Sequence, residues 1–121
     1  MSAPPFWRWP VWAGNNAPRV FRDVDSTGAG RTLAGAVIVL TVTWDGGSLT
    51  LRSDEDAEVV LFDQDNPAEV GMWSVAFTLE QTRDFPLATA LSYEMEAWLE
   101  GTQRTLLQGE IIVNTRNNVD A

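Results

Sequence analysis

Two groups of acidic side chains have the types and spacing for chemistry. Glu94 and Glu96 lie two residues apart. On a strand that spacing puts both carboxylates on one face, about 6.6 Å apart, within the range a glycosidase uses for its acid and its base or nucleophile. Asp63-x-Asp65 with Glu69 offers oxygen ligands for a hard cation. Neither signal is specific. The acidic loop lacks the glycine and the twelve-residue spacing of an EF-hand, and Pro67 interrupts it. It reads as a turn, so no metal site is expected. The carboxylate pair reads as a solvated strand face with Arg104 as a cross-strand partner.

Missing residue types narrow the chemistry further. The chain contains no Cys and no His, and all eight basic residues are Arg. Disulfides, thiolate nucleophiles, histidine general bases and Schiff-base lysines are thereby excluded. No phosphate-binding glycine loop and no nucleophile elbow occurs. The expectation is a protein that is not an enzyme and carries no cofactor. A net charge of −9 over 121 residues argues against nucleic acid and anionic membrane as partners. No apolar run approaches the roughly 18 residues a spanning helix needs, and no secretory signal is evident. Synthesis and retention in a cytoplasm is the resulting expectation.

The aromatic residues are more informative. Residues 1–16 carry three of the six Trp and three of the six Pro. Pro4, Pro5 and Pro10 forbid a regular helix and do not suit a central strand. The segment reads as an extended arm. Phe6, Trp7, Arg8, Trp9 and Trp12 either fold back on the domain or anchor it to a partner, since aromatics and Arg dominate interface hot spots. Trp98 falls out of phase with its apolar neighbours, on the face of Glu96, and joins them as a candidate partner-binding residue.

These residues must be positioned by strands. In Ala36–Asp45, Ile38, Leu40, Val42 and Trp44 alternate onto one face, and β-branched residues dominate. Asp45-Gly46-Gly47 signals a hairpin returning through Ser48–Ser53. Short strands follow near Pro18–Phe21 and Val59–Asp63. Another run places Trp73, Val75, Phe77 and Leu79 on one face. Thr78 and Gln81 form a capping box for a single helical turn, which Phe85-Pro86 ends. Leu91–Glu100 and Arg104–Asn114 form a closing hairpin. Strands at this spacing predict an all-β protein, a single antiparallel Ig-like β-sandwich with an extended N-terminal arm. The domain spans 17–114, and residues 115–121 form a polar C-terminal tail.

The second half also resembles a known family. The stretch Gly71-x-Trp73, Phe77-Thr-Leu-Glu-Gln-Thr82, Phe85-Pro86, Tyr93-Glu-Met-Glu96, Gly101 and Arg104-Thr-Leu-Leu-Gln-Gly-Glu-Ile-Ile-Val113 looks like the small β-sandwich proteins of bacteriophage tails and baseplates. It is similar to the N-terminal domain of siphophage baseplate upper proteins. Leu33, Gly35, Ala36, Ile38, Leu40 and Val42 extend the likeness, so that it covers Leu33 to Val113. The Trp-rich arm departs from that pattern. The resemblance implies a non-enzymatic structural or adaptor subunit of a virion, located in the particle. Its partners would be other phage structural proteins, in a homo-oligomer or other symmetric assembly. It transfers no catalytic residue. The alternative is a carbohydrate-binding module, with Trp98 and the arm forming a flat platform on which sugars stack.

Overall fold

A computed structural model describes residues 6–12, 18–86 and 90–114. Its elements in chain order are β1 (Phe6–Trp12), β2 (Arg19–Arg22), β3 (Val37–Trp44), β4 (Gly47–Arg52), β5 (Val59–Leu61), β6 (Met72–Val75), α1 (Leu79–Asp84), β7 (Ala90–Leu99) and β8 (Thr102–Asn114). They form a five-stranded sheet ordered β1-β8-β7-β3-β4 and a three-stranded sheet ordered β2-β6-β5. The two sheets pack as an Ig-like sandwich around one apolar core.

Local chemistry explains most of the frame. Ile38, Leu40 and Val42 are fully buried, as their alternation requires. Asp45 and Gly46 close a two-residue hairpin loop, because Trp44 faces Gly47 across β3 and β4. Gly46 has φ +98°, a conformation that costs glycine nothing. Glu100 and Gly101 close the β7–β8 hairpin in the same way, Leu99 facing Thr102. The capping box is present at α1: Thr78 Oγ1 accepts from Gln81 N, and Gln81 Oε1 accepts from Thr78 N. Leu79 leaves the alternation expected of it. The β6 strand stops at Val75, and Leu79 is the first residue of α1, half-exposed.

Within the N-terminal arm, Phe6–Trp12 is a strand. It lies parallel to β8, so one pair of the sandwich departs from the antiparallel pattern. It also alternates, which its sequence does not suggest at first reading. Trp9 and Val11 are buried, and Trp7 packs half-buried beside them. Phe6, Arg8 and Pro10 face out. Pro10 is tolerated because β1 is an edge strand, where a missing N–H breaks no central ladder. The rest of the arm, residues 1–5 and 13–16, lies outside the described residues, as does the tail 115–121.

Rings connect the layers. Trp9 stacks with Trp7, meets Phe21 and Tyr93 edge-on, and lies tilted against Phe77. Phe21 stacks on Trp73, while Phe77 continues through Phe85 to Trp44. Trp73 is 2% exposed, and its Nε1 lies 3.3 Å from the Met95 sulfur. Trp44 is only partly covered, its ring lying over Gly47.

Trp9→Ala and Trp73→Ala are each expected to lower stability by about 3–5 kcal/mol, the range for truncating a buried aromatic. Trp44→Ala should cost less than either. Urea denaturation of the three variants checks the ranking.

Candidate functional site

The arm's candidate residues separate by strand face. Trp9 is buried at 3% exposure and belongs to the core, so it offers no surface to a partner. Trp7 is partly covered, and the Arg19 guanidinium lies 5.4 Å above its ring centroid. Arg8 points outward and pairs with Glu110 at 3.4 Å. Arg8 is largely solvated and Glu110 partly so, so that pair contributes little. Phe6 is 63% exposed. Trp12 lies on the strand, and its side chain is outside the described residues.

Trp98 sits elsewhere. It lies on the outer face of β7, opposite Val37 on β3 and Gln103 on β8, and is 44% exposed. Its Nε1 donates to Glu96 Oε1 at 3.2 Å, and Gln103 Nε2 donates to the other Glu96 oxygen at 2.9 Å. The β1 strand pairs with residues 108–114 of β8, the opposite end from Gln103. Among the described residues, β1 therefore neither covers Trp98 nor makes a flat platform with it, and Trp7 and Trp9 turn inward.

Glu94 and Glu96 do share one outward face, as the spacing predicts. Loss of water around it, and the charge and hydrogen bonding of Glu96, hold the Glu94 carboxyl above its usual range. Arg104 is not their partner. A register shift between Met95 and Glu96 sets Arg104 opposite Ala97, on the inner side. From there its Nη2 reaches Asp23 Oδ2 at 2.6 Å, joining the large sheet to the loop after β2. Asp23 is mostly buried and Arg104 half-exposed, so removing Arg104 would leave a buried carboxylate without its counter-charge.

Asp63 and Glu69 each lend a carboxylate oxygen to the backbone of this loop. Glu69 Oε1 accepts from Asp63 N, and Asp63 Oδ1 accepts from Asp65 N. Among the described residues no group of three or more acidic, His or Cys side chains is arranged to hold a metal ion. Asp54 and Glu55 pair with Arg52, and Glu58 accepts from Gln81 Nε2.

Two supporting side chains carried no sequence signal of this role. The Gln64 amide is hydrogen-bonded at both ends: its oxygen accepts from Leu33 N and Gly71 N, and its nitrogen donates to the carbonyls of Phe62 and Met72. It ties the long loops after β2 and β5 together. Tyr93 faces Gly109 across the β7–β8 ladder and reaches past it, donating from its hydroxyl to the Trp7 carbonyl at 2.7 Å. A Cβ at Gly109 would collide with that carbonyl, so glycine is required for β1 to dock.

The outward face of the small sheet carries an exposed valine at each edge, with Arg22 also facing out opposite Met72. Val20 on β2 and Val60 on β5 flank Ser74 of β6 and are 47% and 49% exposed. The half-covered Met72 extends the row. A solvated sheet face is ordinarily polar, so this face is the one most suited to cover by another protein.

No family model matches the chain, and no curated protein matches it. Among solved structures, the FN1–FN3 domains of chicken CNTN1 align at 14% identity with a TM-score of 0.37, over 93% of this chain and 35% of that one. The chain thus spans about a third of that structure's length. The sandwich assignment rests on the two sheets themselves.

Desolvation raises the pKa of Tyr93, the only tyrosine, from 10 to about 12. A group whose folded pKa is raised contributes stability that is complete below its unfolded value and is lost as pH climbs to the folded one. Stability should therefore fall between pH 10 and about 12. Tyr93→Phe should remove that alkaline component and cost about 1 kcal/mol at neutral pH, the worth of one hydrogen bond. Ultraviolet difference titration and urea melts across this range test both.

Proposed function

We propose that the protein is a non-enzymatic structural or adaptor subunit of a bacteriophage virion, made in the host cytoplasm and held in the particle by other phage structural proteins or copies of itself. The observation that carries this reading is the pair of exposed valines on the outward face of the small sheet. Val20 and Val60 stand half-exposed on strands that are both sheet edges. Open edges and exposed apolar side chains are what a part needs when neighbours are to cover it. The likeness of Leu33–Val113 to tail and baseplate sandwiches supplies the kind of neighbour.

The arm's part in assembly is narrower than its composition suggests. Trp7 and Trp9 hold β1 to its own sheet. Among the described side chains of the arm, Phe6 and Arg8 face outward to meet a neighbour, and Trp98 presents a separate contact on the outer face of β7.

Purified particles should contain this chain, detected by mass spectrometry and by immunogold labelling at a fixed position. Val20→Asp with Val60→Asp should leave the fold intact by circular dichroism and abolish incorporation. Absence of the chain from particles rejects the virion reading. Normal incorporation of the double variant rejects the small sheet as the contact face.

A further inference from the structure

The outer face of the five-stranded sheet carries a second feature, distant in kind from the exposed valines of the small sheet. The register aligns Thr50, Thr41, Glu94, Gln108 and Phe6 in one row across all five strands. Thr43 and Ser92 stand in the adjoining row. Around the middle of these rows is a groove of about 420 Å³, lined among others by Phe6, Thr41, Thr43, Ser92, Glu94 and Gln108. That volume is within the range of small-ligand sites. A plain solvated face would be polar and open to water throughout. Here Thr41, Glu94 and Gln108 are only partly exposed, while the most exposed large hydrophobic side chain, Phe6, stands on the rim.

We propose that this groove binds a neutral, polyhydroxylated ligand, a saccharide chain lying across the strands with one ring against Phe6. Threonine and serine hydroxyls, a carboxylate and an amide both donate to and accept from hydroxyl groups. The aromatic face supplies the apolar surface that a sugar ring's C–H side needs. Glu94 sits within the groove and Glu96 beside it, so an anionic ligand is disfavoured. A peptide strand is disfavoured too. Strand addition needs the free backbone of a sheet edge, whereas the centre of this groove lies over β7 and β8, paired on both sides. A hydroxyl-rich ligand also accounts for a carboxyl kept partly out of water, since it would return the hydrogen bonds that burial removes.

Native electrophoresis of the full chain in gels containing dextran, hydroxyethylcellulose, glucomannan or starch, with alginate as the acidic counterpart, tests the assignment. Retardation by at least one neutral polysaccharide is expected. The affinity should fall by about tenfold or more, the loss of one good polar contact, in Glu94→Ala and in Thr41→Val. Phe6→Ala should weaken it likewise, and Glu80→Ala on α1 should not. Urea midpoints of the variants confirm that they are folded. No retardation by any neutral polysaccharide, retardation by alginate alone, or retardation that the groove variants leave unchanged would each overturn the proposal. None of these results bears on whether the chain is found in particles, so the two readings stand or fall separately.

Discussion

The architecture depends on where Trp9 can go. Its ring sits between the sheets, against Phe21 from the small sheet, Phe77 from the connection after β6 and Tyr93 from the large sheet. An aromatic pair in such geometry is worth about 0.5–1.5 kcal/mol beyond the area it buries, so one indole gathers several such terms. The ring can reach this place only if β1 is fixed in register on β8. Gly109 lets the backbones approach, and the Tyr93 hydroxyl holds the Trp7 carbonyl. Burial of a side chain and pairing of a strand are thus one event.

That coupling divides the molecule's surfaces. Because β1 spends its inward residues on the core, its outward residues remain for contact, and one of them, Phe6, borders the polar groove. The small sheet has the reverse character. Its inner face supplies Trp73, Val75 and Val59 to the core, and its outer face keeps Val20 and Val60. A polar groove on one side of the sandwich and half-exposed valines on the other allow two different kinds of encounter.

How much of this was legible in the residues varied with the physics involved. The alternation of Ile38, Leu40 and Val42, the Asp45-Gly46 turn and the Thr78/Gln81 box are local signals, and each lies where the sequence predicts. The β1 strand was hidden, since Pro10 and adjacent large rings obscure the alternation of Trp7, Trp9 and Val11 against Phe6, Arg8 and Pro10. Only the parallel partner, about a hundred residues away, reveals it. The Arg104–Asp23 pair was hidden for a related reason: a shift in the β7–β8 register reverses the side that Arg104 takes. The Gln64 clamp serves backbone groups from three segments, and no local pattern marks such a residue. Of the arm's candidate aromatics, the composition indicated that they matter, but the direction of each depended on a pairing no local window contains.

The pairing of β1 with β8 has a consequence for the order of folding. Arg8 and Glu110 are separated by 102 positions, nearly the whole length of the chain. Contacts of such long sequence separation form late, because the loop entropy must be lost before they return anything. While the ribosome is still adding β7 and β8, Trp7 and Trp9 have no sheet to join. The nascent chain therefore carries this aromatic strand unpaired until β8 has been made. The three prolines of residues 1–16 then have a use beyond shape. A segment interrupted by proline is a poor template for the intermolecular strands that would otherwise capture it before its partner is made.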